Sequence, residues 1–395
     1  MRYTRSLSLP KRSSCFLFGP RQTGKSTLVE SLLSERDFYV SLLPQRDFIA
    51  YAREPGRFRA EVLAHVASRP KGTCFVDEVQ RLPELLNEVH DLIERHRLRF
   101  VLTGSSARKL RHGGANLLAG RAVSLHLAPL TAGEIGRVFD LERCLRVGTL
   151  PRVWDEDDFG SDEEEEVYDF LRSYVDTYLR EEVQQEGLVR NVGPFARFLE
   201  IAAASDGEVV NHSAFARECG VSVKTVQAYY SILEDTFLAH RIDPFVRSAR
   251  KRLVAHPKYY FFDPGVTNAL AHVSLERLGP VERGRRFEQW CALQTITAIR
   301  YRKLPLSVRF WRTNTGVEVD LLIVQGETPV AAVEIKSGVR LKPADMRGLA
   351  SLADDHPKLP RFILGPEDRA RTLEGGIEYR SWEEWIDGVL PGLPK

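Results

Sequence analysis

Gly19, Gly24, Lys25 and Ser26 in the stretch FLFGPRQTGKST fall at the G-x-x-x-x-G-K-[ST] spacing, which suits a chain of phosphates. The loop Gly19, Pro20, Arg21, Gln22, Thr23, Gly24, Lys25, Ser26 and Thr27 is expected to wrap phosphates with successive backbone N–H groups. Glycines keep side chains out of the way, and the helix that follows offers its positive N-terminus. Lys25 would bridge the β- and γ-phosphates and the Ser26 hydroxyl would hold Mg²⁺. In TCFVDEVQ, Asp77 ends an apolar run and is placed to hold the Mg²⁺ water shell, while Glu78 can orient and deprotonate an attacking water. An acidic pair after a strand is more often a helix cap, and the phosphate loop upstream is what favours chemistry here.

Two further residues extend that site. Ser105, in the polar end of VLTGSS, could sense the γ-phosphate by hydrogen bonding, with a plain Ser/Gly turn as the alternative. Arg121, in LAGR, is a candidate arginine finger given in trans by a neighbouring subunit, with an ordinary surface arginine as the alternative. A second set lies in the tail. Glu334 and Lys336, two apart in PVAAVEIKS, project to one face of a strand, and Asp320 lies on the strand before it. Asp320 and Glu334 would hold divalent cations, Mg²⁺ or Mn²⁺, against a scissile phosphate, and Glu288 could complete the metal shell from a helix. Lys336 would orient the nucleophilic water. The alternative is a fold of the same kind that only docks DNA or assembles.

These residues need scaffolding, and the pattern supplies it. Residues 1–135 alternate strand and helix in the manner of an α/β core with a parallel sheet, opened by the apolar strand Cys15-Phe16-Leu17-Phe18. After the loop, Leu28, Leu32 and Leu33 read as the apolar face of a helix. Residues 136–193 read as a helical lid and linker, with Phe170, Leu171, Tyr174, Val175, Tyr178 and Leu179 at helical spacing. Residues 194–262 give a helix, a second helix, the turn Cys219-Gly220-Val221-Ser222 and a third helix, a helix-turn-helix order. Ser222 would cap the third helix, on which Lys224, Thr225, Gln227 and Tyr229 could face a duplex. Two alternating strands follow, joined by VRSARKR, a wing with a basic tip suited to phosphate contacts. Such a module also serves for packing alone. Residues 263–395 hold the tail cluster.

GPRQTGKST, CFVDEVQRL, VLTGSS, LAGR, LAPLTAGE, TYLREEV and YYFFDPGV together resemble the AAA-type ATPases that carry a C-terminal domain of unknown function. The resemblance runs over nearly the whole chain. It implies an AAA+ P-loop ATPase core using ATP and Mg²⁺, a helical and winged-helix middle, and a tail similar to PD-(D/E)xK nucleases with a restriction-endonuclease-like α/β fold.

The 395 residues imply about two to four domains. A hydrophobic share of 43% beside 28% charged residues is that of a globular protein, and the net charge of +2 leaves partners to local patches. Cys15, Cys74, Cys144, Cys219 and Cys291 have no metal-ligand spacing and read as reduced, buried thiols. No apolar run is long enough to cross a bilayer, so the cytoplasm and no membrane partner are expected. The expectation is an ATP-hydrolysing, DNA-binding protein that remodels or processes DNA, including branched DNA such as Holliday junctions, as a homo-oligomeric ring such as a hexamer. The alternative is a nucleotide-controlled regulatory switch whose nuclease-like tail is a non-catalytic binding module.

Overall fold

The computed structural model describes residues 3–108, 110, 118, 120–155, 164–179, 192–246, 256–338 and 340–394. The chain forms two compact units. One comprises Met1–Gly136, Leu150–Asp158 and Ser231–Leu238, the other Arg137–Thr149, Phe159–Tyr230 and Ala239–Lys395.

In the first unit, β1 (Ser14–Phe18), β2 (Phe38–Ser41), β3 (Thr73–Asp77), β4 (Arg99–Gly104) and β5 (Ala122–His126) make one sheet in the order β2-β3-β4-β1-β5, every pair parallel. Parallel strands covered on both faces read as continuous apolar runs, and all of β1 is buried. The core joins Phe16, Phe18, Val76, Phe100 and Leu102 from the strands to Phe58, Val62, Leu85 and Val89 from flanking helices. Because all five strands run the same way, their C-terminal ends finish along one edge: Phe18 lies beside Gly104 and His126, and Asp77 beside Ser41. Ligand sites of open α/β sheets form at that edge.

The helix after the loop, α1 (Lys25–Leu32), buries Lys25 and Val29. Of the leucine face expected from the sequence, Leu28 and Leu33 are half-buried while Leu32 is 48% exposed. Lys25 points inward onto the loop, with Nζ on Gly19 O and Pro20 O.

In the second unit, the helix Glu164–Ser173 passes into a wider π-type turn, Tyr174–Leu179. The helices Val192–Ala204 and His212–Cys219 precede Gly220, whose φ of 65° closes the turn before the helix Val223–Asp235, of which Ser231–Asp235 belong to the first unit. The Ser222 hydroxyl accepts from Thr225 N at 3.1 Å, the cap expected from the sequence. Lys224 and Gln227 are exposed, but Tyr229 is not on the outer face: it is 6% exposed and packs edge-on against Phe195 at 4.9 Å. Two turns into an amphipathic helix, its position belongs to the inward stripe. The strands β6 (Ala239–Ile242) and β7 (Lys258–Phe261) pair antiparallel, and residues 247–255, with the basic tip at 247–252, lie outside the described residues.

After β7, Asp263 caps the helix Pro264–Leu270 and also accepts from Thr149 N at 2.6 Å. Gly148 (φ 76°) makes room for it, because a Cβ there would lie 2.0 Å from the Asp263 carboxylate. The helix Pro280–Tyr301 then runs along a mixed six-stranded sheet of β8 (Ser307–Arg312), β9 (Glu318–Gln325), β10 (Thr328–Ile335), β11 (Arg361–Gly365), β12 (Arg371–Thr372) and β13 (Glu378–Ser381), ordered β12-β13-β11-β10-β9-β8. Trp311, Val319, Leu322, Ala332, Leu349 and Ile363 form its core. All five cysteines are buried and free, and among the described residues no helix is long and apolar enough to cross a membrane.

Candidate functional site

The phosphate loop grows from backbone constraints. A Cβ on Gly19 would lie 2.3 Å from Leu127 O, because β5 runs on to place Leu127 N on Phe18 O at 2.7 Å. Only glycine fits that approach. Gln22 (φ 62°) and Gly24 (φ 86°) both take the left-handed conformation, a turn sequence that points neighbouring N–H groups into one concavity. The buried Thr23 hydroxyl donates to Pro20 O at 3.0 Å, and Lys25 Nζ donates to Gly19 O and Pro20 O at 2.8 and 2.7 Å. The loop is thus braced from inside. Arg21 is half-buried and Thr27 is exposed on the first turn of α1. A cavity of about 520 Å³ opens beside the loop, lined by Tyr3, Gln22, Gly24, Thr27, Leu28 and Pro151 among others.

The acidic pair meets this loop. Ser26 Oγ donates to Asp77 Oδ2 at 2.9 Å and lies 3.1 Å from Oδ1, so the hydroxyl and carboxylate suited to a hydrated Mg²⁺ are adjacent. Thr103 on β4 donates its hydroxyl to Asp77 and accepts from Glu78 N at 3.0 Å. Glu78 itself sits at φ 60°, a conformation that costs a non-glycine residue about 1–3 kcal/mol and is commonly held at functional sites. Gln80 Nε2 donates to Glu78 Oε2 and, at 3.1 Å, to Ser105 Oγ. Gln80 lies across Gly104, where a Cβ would come within 2.8 Å of its Oε1. Ser26, Asp77, Thr103, Glu78, Gln80 and Ser105 therefore form one hydrogen-bonded chain over the sheet edge. Thr103 and Gln80 were not singled out from sequence; both stand inside the motifs that were, one at a strand end and one two residues after Glu78.

Arg121 does not join this chain. It precedes β5, at the N-terminal end of the sheet, and its guanidinium pairs with Glu94 from the helix Leu85–His96. Five residues of strand separate it from the loop edge, about 16 Å at ~3.3 Å per residue, so it does not serve this phosphate site in cis.

The tail cluster draws side chains from the helix Pro280–Tyr301 and from β7, β8, β9 and β10. The antiparallel register sets Val333 against Leu321, which carries Glu334 on β10 opposite Asp320 on β9. Asp320 Oδ2 accepts from Ile335 N at 2.7 Å. Lys336, just past the end of β10 rather than on it, places Nζ 2.7 Å from Glu334 Oε1 and 4.0 Å from Asp320 Oδ2. Burial, then Asp320, pushes the Glu334 carboxyl well above its usual range despite Lys336; burial opposes the Lys336 charge, but Asp320 and Glu334 outweigh it and raise its pKa. Glu334 Oε2 is buried with no hydrogen-bond partner.

Glu288 has other company. It accepts from Tyr260 Oη at 2.6 Å and faces Lys258 Nζ at 3.9 Å, both from β7. Lys258, 2% exposed, also pairs with Glu318, which Arg312 holds at 2.9 Å. Burial and then Asp320 move Glu288 up to about 7, against the pull of Lys258 and Tyr260. Among the described residues no three His, Cys, Asp or Glu side chains are placed to hold a metal ion, the set Glu288, Asp320 and Glu334 included. Lys258 and Tyr260 had a signal in the sequence: a lysine in the otherwise apolar run KYYFF must find an anionic partner if the strand is buried.

Three family models divide the chain. Residues 11–136 match an AAA domain, so the first unit carries a domain of the AAA-type ATPases. Residues 283–385 match a domain of unknown function (DUF4143), and residues 138–277 match another (DUF8612). No curated protein matches the chain.

Proposed function

We propose that this chain hydrolyses ATP at the phosphate loop and uses the cycle to remodel or process DNA. The observation that carries the hydrolytic part is the hydrogen-bonded chain from Ser26 through Asp77, Thr103, Glu78 and Gln80 to Ser105. In that chain Asp77 and Ser26 would hold the Mg²⁺ hydration shell, which neutralises charge on the phosphates. Glu78 accepts the proton of the attacking water, and Gln80 fixes its carboxylate in line with Ser105, the candidate γ-phosphate sensor. The cavity beside the loop gives the base and ribose a place next to Tyr3, Leu28 and Pro151.

The DNA part rests on the exposed Lys224 and Gln227 on the helix that follows the Gly220 turn, and on the basic composition of 247–252. A winged-helix reading of this region fits its helix-turn-helix order and the β6/β7 hairpin. An oligomeric ring is part of the same reading, since Arg121 acts on a phosphate only if a neighbouring copy brings one to it. At the tail, Asp320 and Glu334 suit a Mg²⁺ or Mn²⁺ ion held by two carboxylates and water, with the unpartnered Glu334 Oε2 as the open ligand.

One observation favours the second reading, a nucleotide-controlled switch with a non-catalytic tail. Lys336 already pairs with Glu334, Lys258 faces Glu288 and Tyr260 donates to it, engaging carboxylates that a nuclease would keep for metal. A single experiment separates the readings: ATP turnover and strand cleavage measured together on single-stranded, duplex, forked and four-way-junction DNA with Mg²⁺ or Mn²⁺. DNA-stimulated turnover with cleavage lost in Asp320→Ala supports a processing enzyme. Turnover that no DNA stimulates, with no cleavage on any substrate, overturns it in favour of the switch.

A further inference from the structure

Arg5 lies in the N-terminal segment, outside every motif discussed above, yet it reaches the phosphate loop. Its Nη1 donates to Thr23 O at 2.8 Å, and its Nη2 donates to Ala128 O at 2.5 Å. Its Nε lies 3.2 Å from Glu134 Oε1; the two side chains are 5% and 0% exposed. Glu134 is fixed in turn by Ser6 N at 2.6 Å and by Thr131 N at 3.0 Å, the latter half of the capping box that opens the helix Ala132–Ile135. The segment LAPLTAGE and the N-terminal arm are thereby locked together around one guanidinium.

The consequence for the loop follows from the planar trans peptide. The C=O of Thr23 and the N–H of Gly24 share one peptide plane and point in opposite directions. A guanidinium that holds the Thr23 oxygen fixes the direction of the Gly24 N–H, which points the opposite way, as a donor for a phosphate oxygen. Gly24, at φ 86°, would otherwise rotate this plane easily, because glycine has several accessible conformations. Glu134 neutralises Arg5, and a buried ion pair of this kind is weak evidence for added stability. Its usefulness lies in geometry.

We propose that Arg5 is a positioning residue of the nucleotide site, fixing the Thr23–Gly24 peptide so that its N–H is presented to the phosphates before nucleotide arrives. This rests on the loop binding ATP as proposed above. Arg5 acts through the loop's own main chain, so its effect falls on affinity in the ground and transition states alike, which changes KM and leaves kcat in place.

The test is steady-state ATP hydrolysis with Mg²⁺ by the full chain, comparing wild type, Arg5→Met and Arg5→Lys, with Lys25→Ala as the control for the site. One charge-assisted hydrogen bond to phosphate corresponds to roughly a tenfold change. Arg5→Met is expected to raise KM about tenfold with kcat within about twofold, and Arg5→Lys, which keeps one donor for Thr23 O, to recover part of that loss. A KM equal to wild type in Arg5→Met overturns the proposal whatever happens to kcat, because a purely structural role removes active molecules without changing KM. If Arg5→Met does not fold, a wild-type KM in Arg5→Lys overturns it and a severalfold rise supports it. Wild-type turnover that Lys25→Ala leaves unchanged would instead remove the nucleotide site on which the proposal stands.

Discussion

The two candidate sites are opposite constructions. The phosphate loop is made of backbone: contiguous residues, glycines at close approaches, carbonyls braced by Lys25, and a short polar chain along one sheet edge. The tail cluster is made of charge: Glu288, Glu318, Asp320 and Glu334 from a helix and two strands, answered by Lys258, Arg312 and Lys336. A backbone site can be prepared for a ligand at little electrostatic cost, because amides are neutral. A buried set of carboxylates must be neutralised in the fold itself, and whatever does so competes with any ligand. The first site should therefore lose function when broken, and the second should lose stability.

The largest effect that checks this is at Lys25. Lys25→Ala is expected to weaken ATP binding at least about a hundredfold, as removal of a charge-assisted contact to phosphate would, with a melting temperature near wild type; fluorescence titration with a labelled ATP and thermal unfolding measure both. Next comes Glu78→Gln, which should keep ATP affinity and cut turnover by about 10²–10⁴, the range of a general base. Turnover at the wild-type rate would show that Glu78 is the cap of the turn Val79–Arg81 and no more.

At the tail the sign reverses. Lys258→Met leaves the half-buried Glu288 without its cation and Glu318 with Arg312 alone, and should destabilise the protein by about 3 kcal/mol, the low end for breaking a buried pair, in denaturant unfolding, with ATP affinity unchanged. A stability loss below about 1 kcal/mol would mean that the carboxylates are satisfied in another way and would erase the contrast between the sites.

The smallest effect sharpens the electrostatic side. Burial raises the Asp263 carboxyl to about 6 in spite of the backbone N–H groups of Thr149, Val266 and Gly265. Its folded pKa exceeds the ordinary 3.8, so the folded state binds the proton more tightly, and stability falls as pH rises from about 4 to about 6. The total is on the order of 2–3 kcal/mol. Asp263→Asn should flatten the unfolding free energy over that interval, and an unchanged slope would assign it to other buried acids such as Asp206, which burial raises to about 7.

Much of the first unit could be read from the chain alone because its determinants are local. The loop spacing, the all-apolar β1 and the acidic end of β3 are each contained in a few consecutive residues, and parallel order then gathers them at one edge. The cap at Ser222 and the turn at Gly220 were legible for the same reason. Tyr229 was misplaced because helical spacing alone does not say which face of a short helix meets a core. Leu32 was misplaced because the residues that α1 buries are Lys25 and Val29, a face that leucine content alone does not reveal.

By itself the sequence determined the chemistry on offer: a phosphate loop, an acidic pair, a glycine-turned pair of helices, and Asp320 and Glu334 on neighbouring strands with Lys336 close by. Only the tertiary structure decided what those groups spend their hydrogen bonds on. It put Thr103 and Gln80 between Asp77, Glu78 and Ser105, drew Lys258 and Tyr260 onto Glu288, and set Arg121 at the far end of the sheet. It also brought Arg5 to Thr23 across a separation in which spacing carries no signal. The physical reason is range. Backbone geometry is dictated by neighbours in the chain, whereas the partner of a buried charge is whichever group the packing of distant elements leaves within a few ångströms of it.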